Sequence, residues 1–142
     1  MYLPPNGAAG AAFLETLRLM LVRETRDPEG RPLGLRLADA TPPAWLRPGG
    51  RIAVTGAPTS FGPVSFAIDS RAHGADVSVD LPGRAAPRTI ELRLHLPARL
   101  RIGSVAIDGR PYRRFDPAAG TIDLTGRRGA VHLSVVYRRV GA

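Results

Sequence analysis

Val64-Ser65-Phe66-Ala67-Ile68-Asp69 and, past a Gly-flanked turn that holds His73, Asp76-Val77-Ser78-Val79-Asp80-Leu81 alternate apolar and polar residues with a period of two. Successive side chains of an extended strand point to opposite faces. Each stretch therefore reads as a half-buried strand, with Val64, Phe66 and Ile68, or Val77, Val79 and Leu81, turned to a core. This alternation belongs to antiparallel sheets, because strands of parallel sheets are covered on both faces and run continuously apolar.

The same rhythm extends outward in both directions, through Leu33 to Leu37, Ile52 to Val54, Ile90 to Leu96 and Val131 to Tyr137. One stretch breaks phase: Leu100 and Ile102 share one parity, Val105 and Ile107 the other, with Gly103 between them. A β-bulge at Gly103-Ser104 brings all four onto one face. Asp108-Gly109 is the strongest hairpin signal, because a tight mirror-type turn needs positive φ. A return strand is expected from Tyr112 to Phe115, and another over Thr121 to Leu124. About eight strands with turn signals every 8–12 residues are the pattern of a two-sheet sandwich or barrel, and the expectation is an antiparallel two-sheet β-sandwich over residues 31–142. Residues 1–30 read differently. From Ala9 to Glu24 the apolar residues Phe13, Leu14, Leu17, Met20 and Leu21 fall at helical spacing, Asn6 is a plausible N-cap, and Asp27-Pro28-Glu29-Gly30 stops the helix. The result is a mostly β chain with one N-terminal amphipathic helix. Its stripe, Phe13, Leu17 and Leu21, needs a cover: the sandwich, a partner module or a second copy.

The 142 residues fit one domain with a core of ordinary size. The absence of cysteine excludes a disulfide framework, a thiolate metal site and a cysteine nucleophile. The opening Met1-Tyr2-Leu3-Pro4-Pro5 lacks the features of a signal peptide, and no apolar run approaches the ~20 residues of a membrane span, so a soluble chain is expected in a compartment the sequence leaves open. The net charge of +8 comes entirely from arginine, with no lysine. These arginines are scattered, and a nucleic-acid surface concentrates charge and interleaves aromatics, so nucleic acid is not the expected partner.

Searches for a reaction centre fail. His73, His95 and His132 are dispersed, without an H-x-H or H-x-x-x-H pair. His95 and His132 are the weak metal candidates, and only if their strands are neighbours. There is no G-x-S-x-G elbow, and the glycines lie at turns rather than in a phosphate loop. Asp76 and Asp80 share a strand face, where solvated acids are ordinary. No catalytic residue and no cofactor are expected. Aromatic rings exposed on a sandwich can serve as platforms for the apolar faces of sugars. Trp45, between prolines, and Tyr112, just past the hairpin turn, are the ligand-binding candidates, Tyr112 being the better exposed and Trp45 alternatively a plug over the core.

The stretch Pro43-Ala44-Trp45-Leu46-Arg47-Pro48-Gly49-Gly50-Arg51-Ile52, followed by Ala57-Pro58-Thr59-Ser60-Phe61-Gly62-Pro63-Val64-Ser65-Phe66, resembles the C-terminal region of bacterial glycoside-hydrolase-like proteins built on a six-hairpin α/α barrel. Phe13 to Glu24 resembles the last barrel helix there, and Ser104-Val105-Ala106-Ile107-Asp108-Gly109 a hairpin of the following sandwich. The resemblance implies that catalytic carboxylates belong to the barrel, so none is carried onto this chain. It implies a non-catalytic accessory sandwich that packs on a catalytic α/α-barrel module and contacts glycan. The alternatives are a free-standing carbohydrate-binding module using Trp45 or Tyr112, and a small metalloenzyme using His95 and His132.

Overall fold

The computed structural model describes residues 20–83 and 86–141. The strand-forming stretches pair as their alternation demands. β3 (Arg51–Ala57), β4 (Val64–Arg71) and β5 (Gly74–Leu81) form an antiparallel meander, preceded by β1 (Val22–Arg26) and β2 (Pro32–Leu37). β6 (Thr89–Arg93), β7 (Leu100–Ile107), β8 (Arg110–Tyr112), β9 (Phe115–Asp116), β10 (Thr121–Asp123) and β11 (Gly129–Arg139) follow. They make a five-stranded sheet A in the order β1-β2-β6-β10-β9 and a six-stranded sheet B in the order β3-β4-β5-β11-β7-β8.

The core lies between the layers, and registered rows of apolar side chains build it. In sheet B, Ile52, Ile68, Val77, Leu133 and Ile107 lie opposite one another across five successive strands, all buried. In sheet A the row is Val22, Leu37, Leu92, Ile122 and Phe115. Fully burying one such side chain contributes roughly 1.5–3 kcal/mol, so a shift of register by one residue, which exposes a whole row, is strongly disfavoured. On β4 the burial alternates strictly, with Val64, Phe66 and Ile68 inward.

The bulge stands where the phase break placed it. Val136 faces Ser104 and Tyr137 faces Ile102, so Gly103 is the extra residue, and Ile102, Val105 and Ile107 are all buried. Asp108 and Gly109 both have positive φ, 49° and 79°, and close a two-residue β7–β8 hairpin.

Several expectations are corrected. Among the described residues there are eleven strands rather than about eight. Not every pair is antiparallel: β2 and β6 run parallel. The return strand splits, β8 staying in sheet B and β9 pairing with β10 in sheet A, so the chain changes layer at Arg113-Arg114. The helix expected over Ala9 to Glu24 lies outside the described residues up to Leu19; Met20 and Leu21 are helical, but Val22–Arg26 is strand β1. Pairing with β2, which buries Val22 opposite Leu37, overrides the helical spacing there. Asp27-Pro28-Glu29-Gly30 accordingly turns a hairpin instead of stopping a helix. Asp27 Oδ1 accepts the N–H groups of Glu29 and Arg31 at 3.0 and 2.8 Å, and Gly30 takes φ 82°. Among the described residues the first strand is thus Val22–Arg26.

The Ala57 to Gly62 loop is tied in by its own polar groups. Thr59 Oγ1 donates to the Gly62 carbonyl at 2.6 Å and Phe61 is buried. Ser60 donates its N–H and hydroxyl to the Glu24 carboxylate at 2.7 and 2.8 Å, strapping the β3–β4 loop to sheet A. Among the described residues no helix is long and apolar enough to cross a membrane.

Candidate functional site

Pro42 and Pro43 start a single 3-10 turn, Pro43–Leu46, between β2 and β3. The fixed φ of proline favours such a start. The turn is anchored from below: Ser70 Oγ donates to the Leu46 carbonyl at 2.6 Å, and the Gly49 N–H donates to the Ser70 carbonyl at 2.8 Å. Leu46 is driven into the core, and Trp45, one position earlier, is left 37% exposed. The plug over the core is therefore Leu46, and Trp45 rides outside it. An open groove of about 660 Å³ runs beside the indole, lined by Leu21, Trp45, Pro48, Gly50 and Ile52 among others. Leu21 is the one member of the stripe Phe13, Leu17 and Leu21 that falls among the described residues, and it faces this groove.

Tyr112 is placed differently from its expected role. It is half-buried, its ring packs on the core, its hydroxyl donates to the Asp123 carbonyl, and the Arg127 guanidinium lies 5.3 Å from the ring centroid. A ring with one face on the core and a cation over it has little free surface for a sugar. Of the two expected ligand-binding aromatics, Trp45 is the exposed one.

His95 and His132 do not meet. His95 follows β6, whose neighbours in sheet A are β2 and β10, whereas His132 lies on β11 between β5 and β7 in sheet B. His132 is exposed opposite Ser78. His95, expected on the wet face, is half-buried with Nδ1 2.8 Å from the Thr41 carbonyl. No cluster of three or more His, Asp or Glu side chains suited to a metal ion occurs among the described residues. Asp76 stays on the outer face, paired with Arg71.

The charges are largely local. Arg51 lies 2.8 Å from Asp69 across β3 and β4, and Arg23 3.3 Å from the buried Asp39. Burial acts to raise the Asp123 pKa, but hydrogen bonds from Thr125 and the Arg114 charge outweigh it and hold the carboxyl below the usual range. Burial pushes the Tyr137 hydroxyl up, against a smaller lowering by Ser70. Comparison with protein-family models, with curated proteins and with solved structures gives no match. The described faces hold an apolar groove beside Trp45 and a polar concavity around Arg93, His95 and Arg101, the second of which sequence reasoning missed. Alternation places Arg93 between two buried leucines, but nothing in the spacing announces that Arg101, from the other sheet, joins it.

Proposed function

We propose that this chain is a non-catalytic accessory β-sandwich of a carbohydrate-active, glycoside-hydrolase-like protein. It packs on a catalytic module and contacts glycan. One observation carries the reading: the exposed indole of Trp45 stands over an open groove whose wall includes Leu21, where the N-terminal segment enters the sandwich. A groove at that point serves both roles, an apolar seat for a neighbouring module and a stacking surface for a pyranose ring. The resemblance of the 43–66 stretch to the sandwich that follows a six-hairpin barrel supports the same reading.

Affinity electrophoresis through a panel of soluble polysaccharides, with a hydrolysis assay on the same panel, tests it. Retardation of the wild-type chain by at least one polysaccharide, lost in Trp45→Ala, is expected, without release of reducing ends. Hydrolysis by this chain alone would overturn the non-catalytic reading. Equal retardation of wild type and Trp45→Ala would remove Trp45 as the platform.

A further inference from the structure

Between Leu94 and Arg99 the chain crosses from sheet A to sheet B. Leu94 donates its N–H to the Gly120 carbonyl at 2.8 Å and Leu100 donates to Pro97 at 2.8 Å before β7 begins. The crossing leaves a concavity of about 260 Å³, whose walls include Pro43, Arg93, His95, Arg101 and the 117–120 loop, and no acidic residue is part of that lining. The loop spends its own donors internally, since Asp116 Oδ1 accepts the N–H groups of Ala118 and Ala119 at 2.9 and 3.0 Å.

The polar atoms of this pocket are unusual. The Nε atoms of Arg93 and Arg101 and the Nε2 atom of His95 are shielded from solvent and have no hydrogen-bond partner among the described residues. Arg23, Arg51, Arg71 and Arg114, by contrast, each pair with an acid. Leaving a charged donor desolvated and unpaired costs more than losing an ordinary hydrogen bond, and folded proteins rarely tolerate it. One nitrogen of each of Arg93, Arg101 and His95 is in that condition around one cavity, and with no acid in the lining the cavity's chemistry suits an anionic acceptor. His95 refines its identity. A carbonyl only accepts, so Nδ1 beside the Thr41 carbonyl carries a proton, and in the neutral ring Nε2 is left as an acceptor.

We propose that this pocket binds a small oxyanion that also carries a hydroxyl. Its charged oxygens sit on the Arg93 and Arg101 guanidinium groups, and its O–H donates to His95 Nε2. Guanidinium forks match carboxylate and phosphate oxygens. A sugar acid and hydrogen phosphate both supply the charge and the O–H, whereas sulfate supplies only the charge. The inference rests on the pocket alone and is independent of the Trp45 groove.

The test is an NMR titration of the ¹⁵N-labelled chain at constant ionic strength and about pH 8. The probes are galacturonate, inorganic phosphate, sulfate and galactose. Saturable shifts at residues 93–101 and 117–120 with galacturonate or phosphate are expected, with sulfate at least about tenfold weaker and galactose without effect. A preference for galacturonate names a carboxylate ligand, and a preference for phosphate names a phosphoryl one. Arg93→Gln and Arg101→Gln are each expected to weaken binding by about tenfold or more, while Arg128→Gln, in the β10–β11 turn away from the pocket, leaves it unchanged. Absence of a saturable shift at the pocket with either anion, in the wild-type chain, overturns the proposal whatever the variants do. Sulfate binding as tightly as phosphate overturns the role of His95.

Discussion

Replacing Gly120 by alanine drives a methyl group into the backbone of the adjoining segment. Gly120 has φ 71°, and a Cβ added there lies 2.3 Å from the Leu94 carbonyl oxygen. Leu94 in turn donates its N–H to the Gly120 carbonyl at 2.8 Å. Both partners are main chain, so no rotamer relieves the overlap and the two segments must part. The left-handed conformation costs a residue with a Cβ about 1–2 kcal/mol. Losing the Leu94–Gly120 hydrogen bond adds about 0.5–1.5 kcal/mol, for a total of about 1.5–3.5 kcal/mol. Gly126 provides the reference: its φ is 87°, but nothing lies within 4 Å of an added Cβ. Gly126→Ala therefore carries only the conformational part, about 1–2 kcal/mol. Urea denaturation followed by circular dichroism compares the two variants, and Gly120→Ala is expected to lose about 1 kcal/mol more than Gly126→Ala. Losses equal within about 0.5 kcal/mol would show that the Leu94 contact yields freely, and the reasoning would fail.

The bulge makes a contrast between two deletions. Removing Gly103 leaves Leu100, Ile102, Val105 and Ile107 in regular alternation on the inner face, so cooperative unfolding is retained, whereas removing Ala106 sets Val105 and Ile107 on opposite faces and abolishes it; equal damage in thermal melts would refute the assignment of the extra residue. Stability is expected to fall on acidification. The Asp27 carboxyl is held low chiefly by the Arg31 backbone N–H. The Asp123 carboxyl, raised by burial, is brought low by Thr125 and Arg114. Folded-state values below the unfolded ones contribute stability above about pH 4 that is lost as pH falls through the depressed values. Asp123→Asn is expected to flatten that acid limb in urea midpoints measured against pH, and an unchanged limb would reject the Asp123 contribution.

What the sequence made legible were features written in local chemistry. The parity break around Gly103 and the positive-φ demand of Asp108-Gly109 each stood in a few adjacent residues, and each is realised as read. Features that depend on distant partners were not legible. Val22 to Glu24 fits a helix by spacing and becomes a strand because Leu37 and Arg36 are there to pair with it. The parallel meeting of β2 and β6 leaves no mark on either strand, since both keep one wet face and so keep alternating. The relative exposure of Trp45 and Tyr112 reversed for the same reason. Ser70 and Leu46 hold the indole outward, while Asp123 and Arg127, from beyond the turn, cover the phenol.

The position of β11 has a consequence for assembly. It is the latest strand in chain order, yet it occupies the middle of sheet B, bonded on one side to β5 and on the other to β7. Until it is laid down, the β3-β4-β5 and β7-β8 pieces each present an open row of amide and carbonyl groups, the kind of template on which chains join one another. Truncation ahead of Gly129 thus removes a keystone rather than a margin, and converts a closed layer into two sticky half-sheets.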